Sequence, residues 1–183
     1  IDLVAEEHRL FVGRPGAVGQ RGANFTQQNC DCLLAIGARL DLPQTAFNHA
    51  NFARAARKII VDVDPCEIRK LDMKIDLPIV ADAGDFLREF LEQKSSLRTI
   101  GDHRAWLERC KQWQRQYPSI TQEHWSRTDG VDQYALTDVL SDELSADDVI
   151  APGSSGPTSD ILLQAFRIKA GQRFRNFPGL GAM

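Results

Sequence analysis

Residues 58–63 read KIIVDV, a short run rich in β-branched residues. A second apolar run, CLLAIG, occupies residues 32–37 and ends in glycine, and a third and weaker one, LPIV, occupies residues 77–80. Continuous apolar runs of this length are typical of strands that are buried on both faces of a sheet. We therefore predict three buried strands in the first half of the chain.

Helical patterns separate and follow these runs. Residues 21–29 could form one helix. Residues 82–91 give a clearer pattern, because apolar side chains recur there at helical spacing and acidic residues occupy the first turn. Strands that alternate with helices are joined by right-handed crossovers into a parallel sheet. The predicted fold class is therefore α/β, with a doubly wound, Rossmann-like parallel sheet.

The second half of the chain predicts a linker helix and part of another α/β region. Residues 104–117 carry a helical apolar stripe, and residues 129–148 look helical with only acidic charges. A short strand is predicted at residues 149–151, followed by a glycine-containing loop and a helix over residues 158–168. Four basic residues follow near the end of this helix, and we expect them to balance the acidic stretch or to be solvated rather than to contact a phosphate: Arg167, Lys169, Arg173 and Arg175.

The composition excludes several classes of protein. The 183 residues are 43% hydrophobic and 26% charged, which is ordinary for a globular protein, so wholesale disorder is not expected. The net charge of −3 argues against a general nucleic-acid-binding role, which needs a basic face. Because no apolar run approaches the ~20 residues that span a bilayer, and no signal-peptide pattern opens the chain, we expect no membrane partner.

The cysteines and histidines do not predict a metal site. The four cysteines form no pair of CxxC motifs, and four in a chain of this length do not indicate a disulfide scaffold. We therefore predict a reduced, cytoplasmic protein. None of the four histidines has the spacing of a metal pair, so no role is assigned to His8, His49, His103 or His124.

The loop after the predicted strand at residues 149–151 is the most informative local feature. Gly153 and Gly156 let the backbone approach a ligand closely, and the start of the next helix presents free backbone N–H groups. Ser154 and Ser155 could add hydroxyl donors. These features predict an anion or diphosphate site, although a strand-to-helix turn capped by serine fits the same residues equally well.

The carboxyl ends of the first two predicted strands form a second candidate site, because open parallel sheets bind ligands there. Arg39 follows the first strand and could meet a phosphate or a carboxylate. Alternatively, it forms a surface ion pair with Asp41. Asp62 or Asp64 follows the second strand and could accept hydrogen bonds from ribose hydroxyls. Alternatively, this residue caps the short helix after Pro65.

Six segments follow one another along the chain: residues 13–22 (GRPGAVGQRG), 35–41 (AIGARLD), 59–65 (IIVDVDP), 79–83 (IVADA), 149–156 (VIAPGSSG) and 177–183 (FPGLGAM). In their order and spacing they resemble the thiamine-diphosphate-dependent enzymes of the acetolactate synthase type. The resemblance covers nearly the whole chain and implies the parallel sheet that the apolar runs predict.

The resemblance implies three parts. Residues 1–95 would be the central Rossmann-like domain, residues 96–128 a linker helix region, and residues 129–183 a truncated N-terminal part of the diphosphate-binding domain. The family's Gly-Asp-Gly metal motif would follow Met183, and its catalytic glutamate belongs to a preceding domain. We therefore expect an interior piece of a longer enzyme, with neither a catalytic residue nor a metal ligand of its own and with no activity alone.

The resemblance also implies contacts with thiamine diphosphate. The residues by its diphosphate would be Gly153, Ser154, Ser155 and Gly156, and those by its aminopyrimidine ring would be Gly181, Ala182 and Met183. Most of the family has larger polar side chains, such as glutamine or histidine, where this chain has its two loop serines, which points to a divergent branch. Mg²⁺ would be bound by ligands outside this chain.

Some relatives bind FAD in the central domain, where Arg39 and Asp64 would face it, and others have lost FAD. The implied function is that of a carboligase or decarboxylase, a transferase or lyase, which acts on a small 2-keto acid. The full-length protein would be a homodimer or homotetramer. Two alternatives stay open: a stand-alone module for FAD or another dinucleotide, and a noncatalytic domain retained for oligomer contacts.

Overall fold

A computed structural model of the chain describes residues 2–96, 101–153 and 156–176. The chain divides into two compact units, which are described separately. Residues 25–108 form the first, here called the sheet unit, and residues 1–24 with 109–183 form the second, here called the split unit. The domain boundaries at residues 95 and 128 stay a prediction.

The sheet unit contains three strands: β1 (Cys32–Ile36), β2 (Arg57–Asp62) and β3 (Leu77–Val80). They lie in the order β1-β2-β3, and both neighbouring pairs are parallel. Leu34 aligns with Ile59 across the first pair, and Val61 aligns with Ile79 across the second. The predicted α/β class with a parallel sheet is therefore confirmed, and each predicted strand lies within one residue of its observed bounds.

Helices join and flank these strands. The helices are α1 (Arg21–Asn29), α2 (Leu42–Thr45), α3 (Pro65–Arg69) and α4 (Ala83–Glu92), with 3-10 turns at His49–Asn51 and Gln93–Ser96. The predicted bounds of α1 are confirmed. The second predicted helix is α4, which begins one residue later than expected because Asp82 is its N-cap and accepts hydrogen bonds from the N–H groups of Gly84 and Asp85.

The core of the sheet unit lies around β2. Its buried residues are Ala35, Leu40, Phe52, Ala53, Ala56, Ile60, Ile68 and Leu71. The prediction of burial on both faces holds for the second half of β2. It is wrong for β1, where Leu34 is 41% exposed, and for β3, where Leu77 is 49% and Val80 59% exposed. Within the described ranges β3 pairs only with β2, and α4 buries no residue, so nothing described there covers this edge strand.

The split unit contains most of α5 (Arg104–Gln116), followed by α6 (Gln122–Trp125), α7 (Gln133–Glu143), β4 (Val149–Ile150), α8 (Pro157–Ala165) and β5 (Arg173–Phe174). β4 and β5 form a parallel pair in which Ile150 aligns with Phe174, and α8 lies in the connection between them. The predicted helices over α5 and α8 and the predicted strand β4 are confirmed. The helix predicted to reach residue 168 ends at Ala165.

The core of the split unit contains Ile150, Phe166, Ile168 and Phe174, with Leu140, Leu144, Leu162 and Leu163 packed against them. Basic residues after α8 bind the acidic helix α7. Arg167 pairs with Asp138 and Asp142, each at 2.8 Å, and Lys169 Nζ donates to the Leu144 carbonyl. For Arg167, the interpretation that the basic residues balance the acidic stretch is therefore confirmed.

No helix in the described ranges is both long enough and apolar enough to span a membrane.

Candidate functional site

The loop from β4 to α8 leaves room for a ligand beside its glycines. Gly156 is the N-cap of α8, has φ +72°, and provides no side-chain cap to the helix. A Cβ placed on Gly153 or on Gly156 would meet no atom of the described residues within 4 Å. The backbone at these two glycines can therefore be approached closely, and the first N–H groups of α8 have no carbonyl partner within the helix.

Several residues predicted at this site lie outside the described ranges. They are Ser154, Ser155, Gly181, Ala182 and Met183. Their cofactor contacts therefore stay predictions, as do those of the two described glycines.

Two residues in this region were missed by sequence analysis. Ser159, in the first turn of α8, is buried, and its Oγ accepts a hydrogen bond of 3.1 Å from Asn176 Nδ2. Asn176 therefore ties the chain after β5 to the beginning of α8. The one signal that could have found Asn176 is its position directly before the segment at residues 177–183. Nothing in the sequence pairs it with Ser159.

Arg39 lies just after the carboxyl end of β1, in an unusual backbone conformation. It has φ +54° and the next residue, Leu40, has φ +49°, so two consecutive non-glycine residues are left-handed. The Arg39 side chain is 64% exposed, and its Nη2 lies 3.1 Å from Glu67 Oε1. The ion pair of Arg39 that the structure shows is therefore with Glu67 of α3, whereas the predicted alternative was an ion pair with Asp41. Lys70 and Arg39 together hold the pKa of Glu67 below its ordinary value.

Asp64 lies just after the carboxyl end of β2 and caps α3. Its Oδ1 accepts a hydrogen bond of 2.7 Å from the Cys66 N–H. Asp62 is buried, and its Oδ1 accepts from the Asp64 N–H at 3.0 Å. The capping interpretation of Asp64 is therefore confirmed, and a cofactor contact of Asp64 stays a prediction.

Helix α3 connects the two residues predicted at the carboxyl ends of β1 and β2, Arg39 and Asp64. α3 begins at the Asp64 cap and carries Glu67, which binds Arg39. The result is a connected polar surface at the carboxyl ends of β1 and β2, in which both predicted side chains already have protein partners.

Comparison with known proteins finds a matching enzyme family and several relatives. Residues 1–90 match the family described as thiamine pyrophosphate enzyme, central domain. The chain is 40% identical over 104 residues to the probable acetolactate synthase large subunit of Methanocaldococcus jannaschii, a match that covers 57% of this chain and 17% of that protein.

Two bacterial relatives are also named as acetolactate synthase large subunits. The acetolactate synthase isozyme 3 large subunit of Escherichia coli is 35% identical over 109 residues, which are 58% of this chain and 19% of that protein. The acetolactate synthase large subunit of Corynebacterium glutamicum is 36% identical over 114 residues, 62% of this chain and 18% of that protein. The chain thus spans less than a fifth of each of these relatives. These matches support an acetolactate synthase-like family of thiamine-diphosphate-dependent enzymes for residues 1–90.

Proposed function

We propose that this chain is part of a thiamine-diphosphate-dependent carboligase or decarboxylase, a transferase or lyase, that acts on a small 2-keto acid. The proposal is supported by the central-domain match over residues 1–90 and by three relatives named as acetolactate synthase large subunits. In this proposal residues 1–95 are the central domain, residues 96–128 the linker region, and residues 129–183 the beginning of the diphosphate-binding domain.

The observation that carries the cofactor assignment is the strand, glycine loop and helix from β4 to α8. Open space beside Gly153 and Gly156 among the described residues, together with the N–H groups at the start of α8 that have no carbonyl partner within the helix, supports binding of the diphosphate group. In the proposed arrangement these backbone groups and the two loop serines hold the diphosphate, and Gly181, Ala182 and Met183 contact the aminopyrimidine. Bound thiamine diphosphate supplies the electron sink for decarboxylation of a 2-keto acid.

Further parts of the proposal concern groups outside this chain. Mg²⁺ would bridge the diphosphate to hard oxygen ligands contributed elsewhere in the protein. The catalytic glutamate would come from another domain, so we expect residues 1–183 alone to be inactive. We also propose a cytoplasmic homodimer or homotetramer for the full-length protein.

A dinucleotide function receives less support from the sheet edge. FAD binding there would use Arg39 and Asp64, whereas Arg39 pairs with Glu67 and Asp64 caps α3. These two side chains do not fit an open dinucleotide site as they stand, and we advance no second function.

The test is calorimetric titration of the full-length protein with thiamine diphosphate and Mg²⁺. We expect saturable binding that falls about tenfold or more in Gly156→Val, because the new side chain fills the space of the diphosphate. Gly130→Val is the matched control, since Gly130 also has a positive φ and open space around its Cβ position. Both glycines have a φ that L side chains rarely adopt, and they differ in their distance along the chain from the loop.

A second variant separates binding from folding. Gly153 has open space around its Cβ position and is not in the left-handed region, so Gly153→Val should fold normally and still lose cofactor. Consumption of pyruvate and other 2-keto acids by the loaded wild-type protein then tests the reaction class. Failure of the wild-type protein to bind thiamine diphosphate, or unchanged affinity in both loop variants, would overturn the cofactor proposal.

A further inference from the structure

The split unit contains a polar cleft that the proposed function does not use. Its volume is about 530 Å³, and its walls come from the beginning of α1, the loop after α5, α6, and one side chain each from α7 and α8. Pockets that bind small molecules commonly enclose about 300–1,000 Å³. The cleft is therefore large enough for a small organic ligand.

The lining of this cleft contains one guanidinium group and, among the described residues, no carboxylate. The guanidinium belongs to Arg21, and His124 also lines the cleft. The Arg21 guanidinium lies 5.2 Å from the centre of the Tyr117 ring, and no ion pair joins Arg21 to a carboxylate within residues 2–96, 101–153 and 156–176. Elsewhere in the split unit, Arg14 pairs with Glu6 and Arg167 pairs with Asp138. Arg21 thus brings an uncompensated positive charge to the cleft.

His124 offers a hydrogen-bond donor to the same space. Its Nδ1 accepts a hydrogen bond of 3.0 Å from the Thr121 N–H, so in the neutral ring the proton lies on Nε2. The ring stacks on Tyr134, with centroids 4.5 Å apart and planes 16° from parallel. These two contacts fix the orientation of the imidazole and leave Nε2–H as its available donor.

The far wall of the cleft is fixed by a chain of hydrogen bonds. The Tyr134 hydroxyl donates to Gln164 Oε1 at 2.8 Å, and Gln164 Nε2 donates to the Gly19 carbonyl at 3.1 Å. Because these groups satisfy one another, a ligand would not need to reorder them. A preformed wall reduces the entropy lost on binding.

We propose that this cleft binds a small organic anion through a carboxylate or phosphate group, whose oxygens accept hydrogen bonds from the Arg21 guanidinium and from His124 Nε2. Guanidinium groups bind both kinds of oxyanion through charge-assisted hydrogen bonds. The site is separate in its residues from the loop at Gly153 and Gly156, and no step of the proposed function depends on it.

The test is calorimetric titration of the full-length protein, saturated with thiamine diphosphate and Mg²⁺, using inorganic phosphate in one arm and benzoate in the other. Sodium chloride at matched ionic strength corrects for general screening. Binding of phosphate alone identifies a phosphate ligand, binding of benzoate alone identifies a carboxylate ligand, and both results support the site. Binding of neither anion would overturn the proposal.

Substitutions at Arg21 and Arg109 test whether an anion that binds the protein does so in this cleft. Arg21→Gln should weaken binding about tenfold, through loss of a charge-assisted contact, and Arg21→Lys should restore most of it. Arg109→Gln is the matched control, because Arg109 also lies over an aromatic ring, 5.8 Å from the centre of Trp113, but does not line the cleft. Unchanged affinity in Arg21→Gln, or an equal loss in Arg109→Gln, would contradict the assignment.

Failure of anion binding in the cleft can also be distinguished from failure of thiamine diphosphate binding. If the protein fails to bind thiamine diphosphate, the anion titrations are run on the protein with a Gly156→Val substitution, in which the loop is blocked. Anion binding that persists there and is lost with Arg21→Gln supports the cleft independently. Anion binding that disappears with Gly156→Val would assign the anion to the loop and overturn the cleft.

Discussion

The Arg14 guanidinium donates from Nη2 to the Phe166 carbonyl at 2.7 Å, across 152 residues of sequence. The same side chain donates to the carbonyls of Leu163 at 3.0 Å and Gln164 at 3.2 Å, and it pairs with Glu6 at 3.3 Å. The last carbonyls of a helix lack partners within that helix. The Arg14 guanidinium therefore provides hydrogen-bond donors to the carbonyls at the end of α8, where the chain leaves the helix.

Loss of Arg14 should strongly destabilise the split unit. The Arg14 side chain is only 12% exposed, so Arg14→Met leaves both Glu6 and the carbonyls at the end of α8 with poor access to water. We expect the free energy of unfolding to fall by about 3 kcal/mol, as measured by chemical denaturation. Arg173→Met is the control, because Arg173 is half-exposed and lies 3.7 Å from Asp2, a pair worth about 0–1 kcal/mol. Equal losses in the two variants would contradict this role of Arg14.

The Glu6 carboxyl should give the protein an unusual dependence on pH. Burial raises its pKa above the ordinary value of 4.5, although Arg14 acts in the opposite direction. When a folded-state pKa exceeds the unfolded-state pKa, the unfolded chain loses its proton first as the pH rises. The contribution of Glu6 to the free energy of unfolding therefore falls between the unfolded-state and folded-state pKa values and stays lower above them.

Denaturation of wild-type protein and Glu6→Gln from about pH 4 to 7 tests this sign. We expect the wild-type free energy of unfolding to decrease relative to that of Glu6→Gln as the pH rises. Asp142 provides the opposite case, since its hydrogen bond with Arg167 lowers the pKa of Asp142 below 3.8. Its stabilising contribution should be lost as the pH falls through that lowered value. A wild-type curve that rises relative to Glu6→Gln would refute the assignment for Glu6.

Gly22 permits a close approach between α1 and α5. A Cβ at this position would lie 2.8 Å from the carbonyl carbon and oxygen of Trp113, and these backbone atoms cannot rotate away as a flexible side chain can. Gly22→Ala should therefore lower the free energy of unfolding by about 1–3 kcal/mol. Gly101→Ala is the control, because its Cβ would come no closer than 3.9 Å to any atom of the described residues, and we expect it to change stability by less than about 0.5 kcal/mol.

The cap formed by Asp64 should be measurable in the sheet unit. Asp64→Ala removes the acceptor for the Cys66 N–H and should cost about 1 kcal/mol of unfolding free energy. Asp64→Ser keeps a capping oxygen without the negative charge, so it should restore most of that loss. Hydrogen exchange at the Cys66 amide gives a local measurement. If serine were no better than alanine, the carboxylate would be required for something other than the cap.

The sequence predicted those parts of the fold that depend on local pattern. The β-branched run of β2 and the helical spacing of α4 each require only neighbouring residues to be recognised. Exposure of β3 and α4 could not be predicted in this way, because an apolar pattern does not say whether another element covers it. β5 was missed because a strand of two residues has no periodicity, and its definition depends on pairing with β4.

The candidate site shows the same division. Asp64 caps a helix that begins at the next residue, so sequence reasoning could include that role. Arg39 instead binds Glu67, 28 residues away, and the hydrogen bond from Asn176 to Ser159 spans 17 residues. The contacts of Arg14 with the end of α8 span up to 152 residues. Partners at such separations are set by how the chain packs, which no local pattern records.

The division of one unit between distant parts of the chain has a consequence during protein synthesis. Arg14 leaves the ribosome 149 to 152 residues ahead of the carbonyls that it binds, whereas residues 25–108 emerge as one continuous stretch. Domains generally fold as units during translation. A nascent chain stalled before Leu163 would therefore display the parallel sheet of residues 25–108 while the carbonyl partners of Arg14 are still untranslated, and the segment around Arg14 is where a protease or chaperone would first gain access.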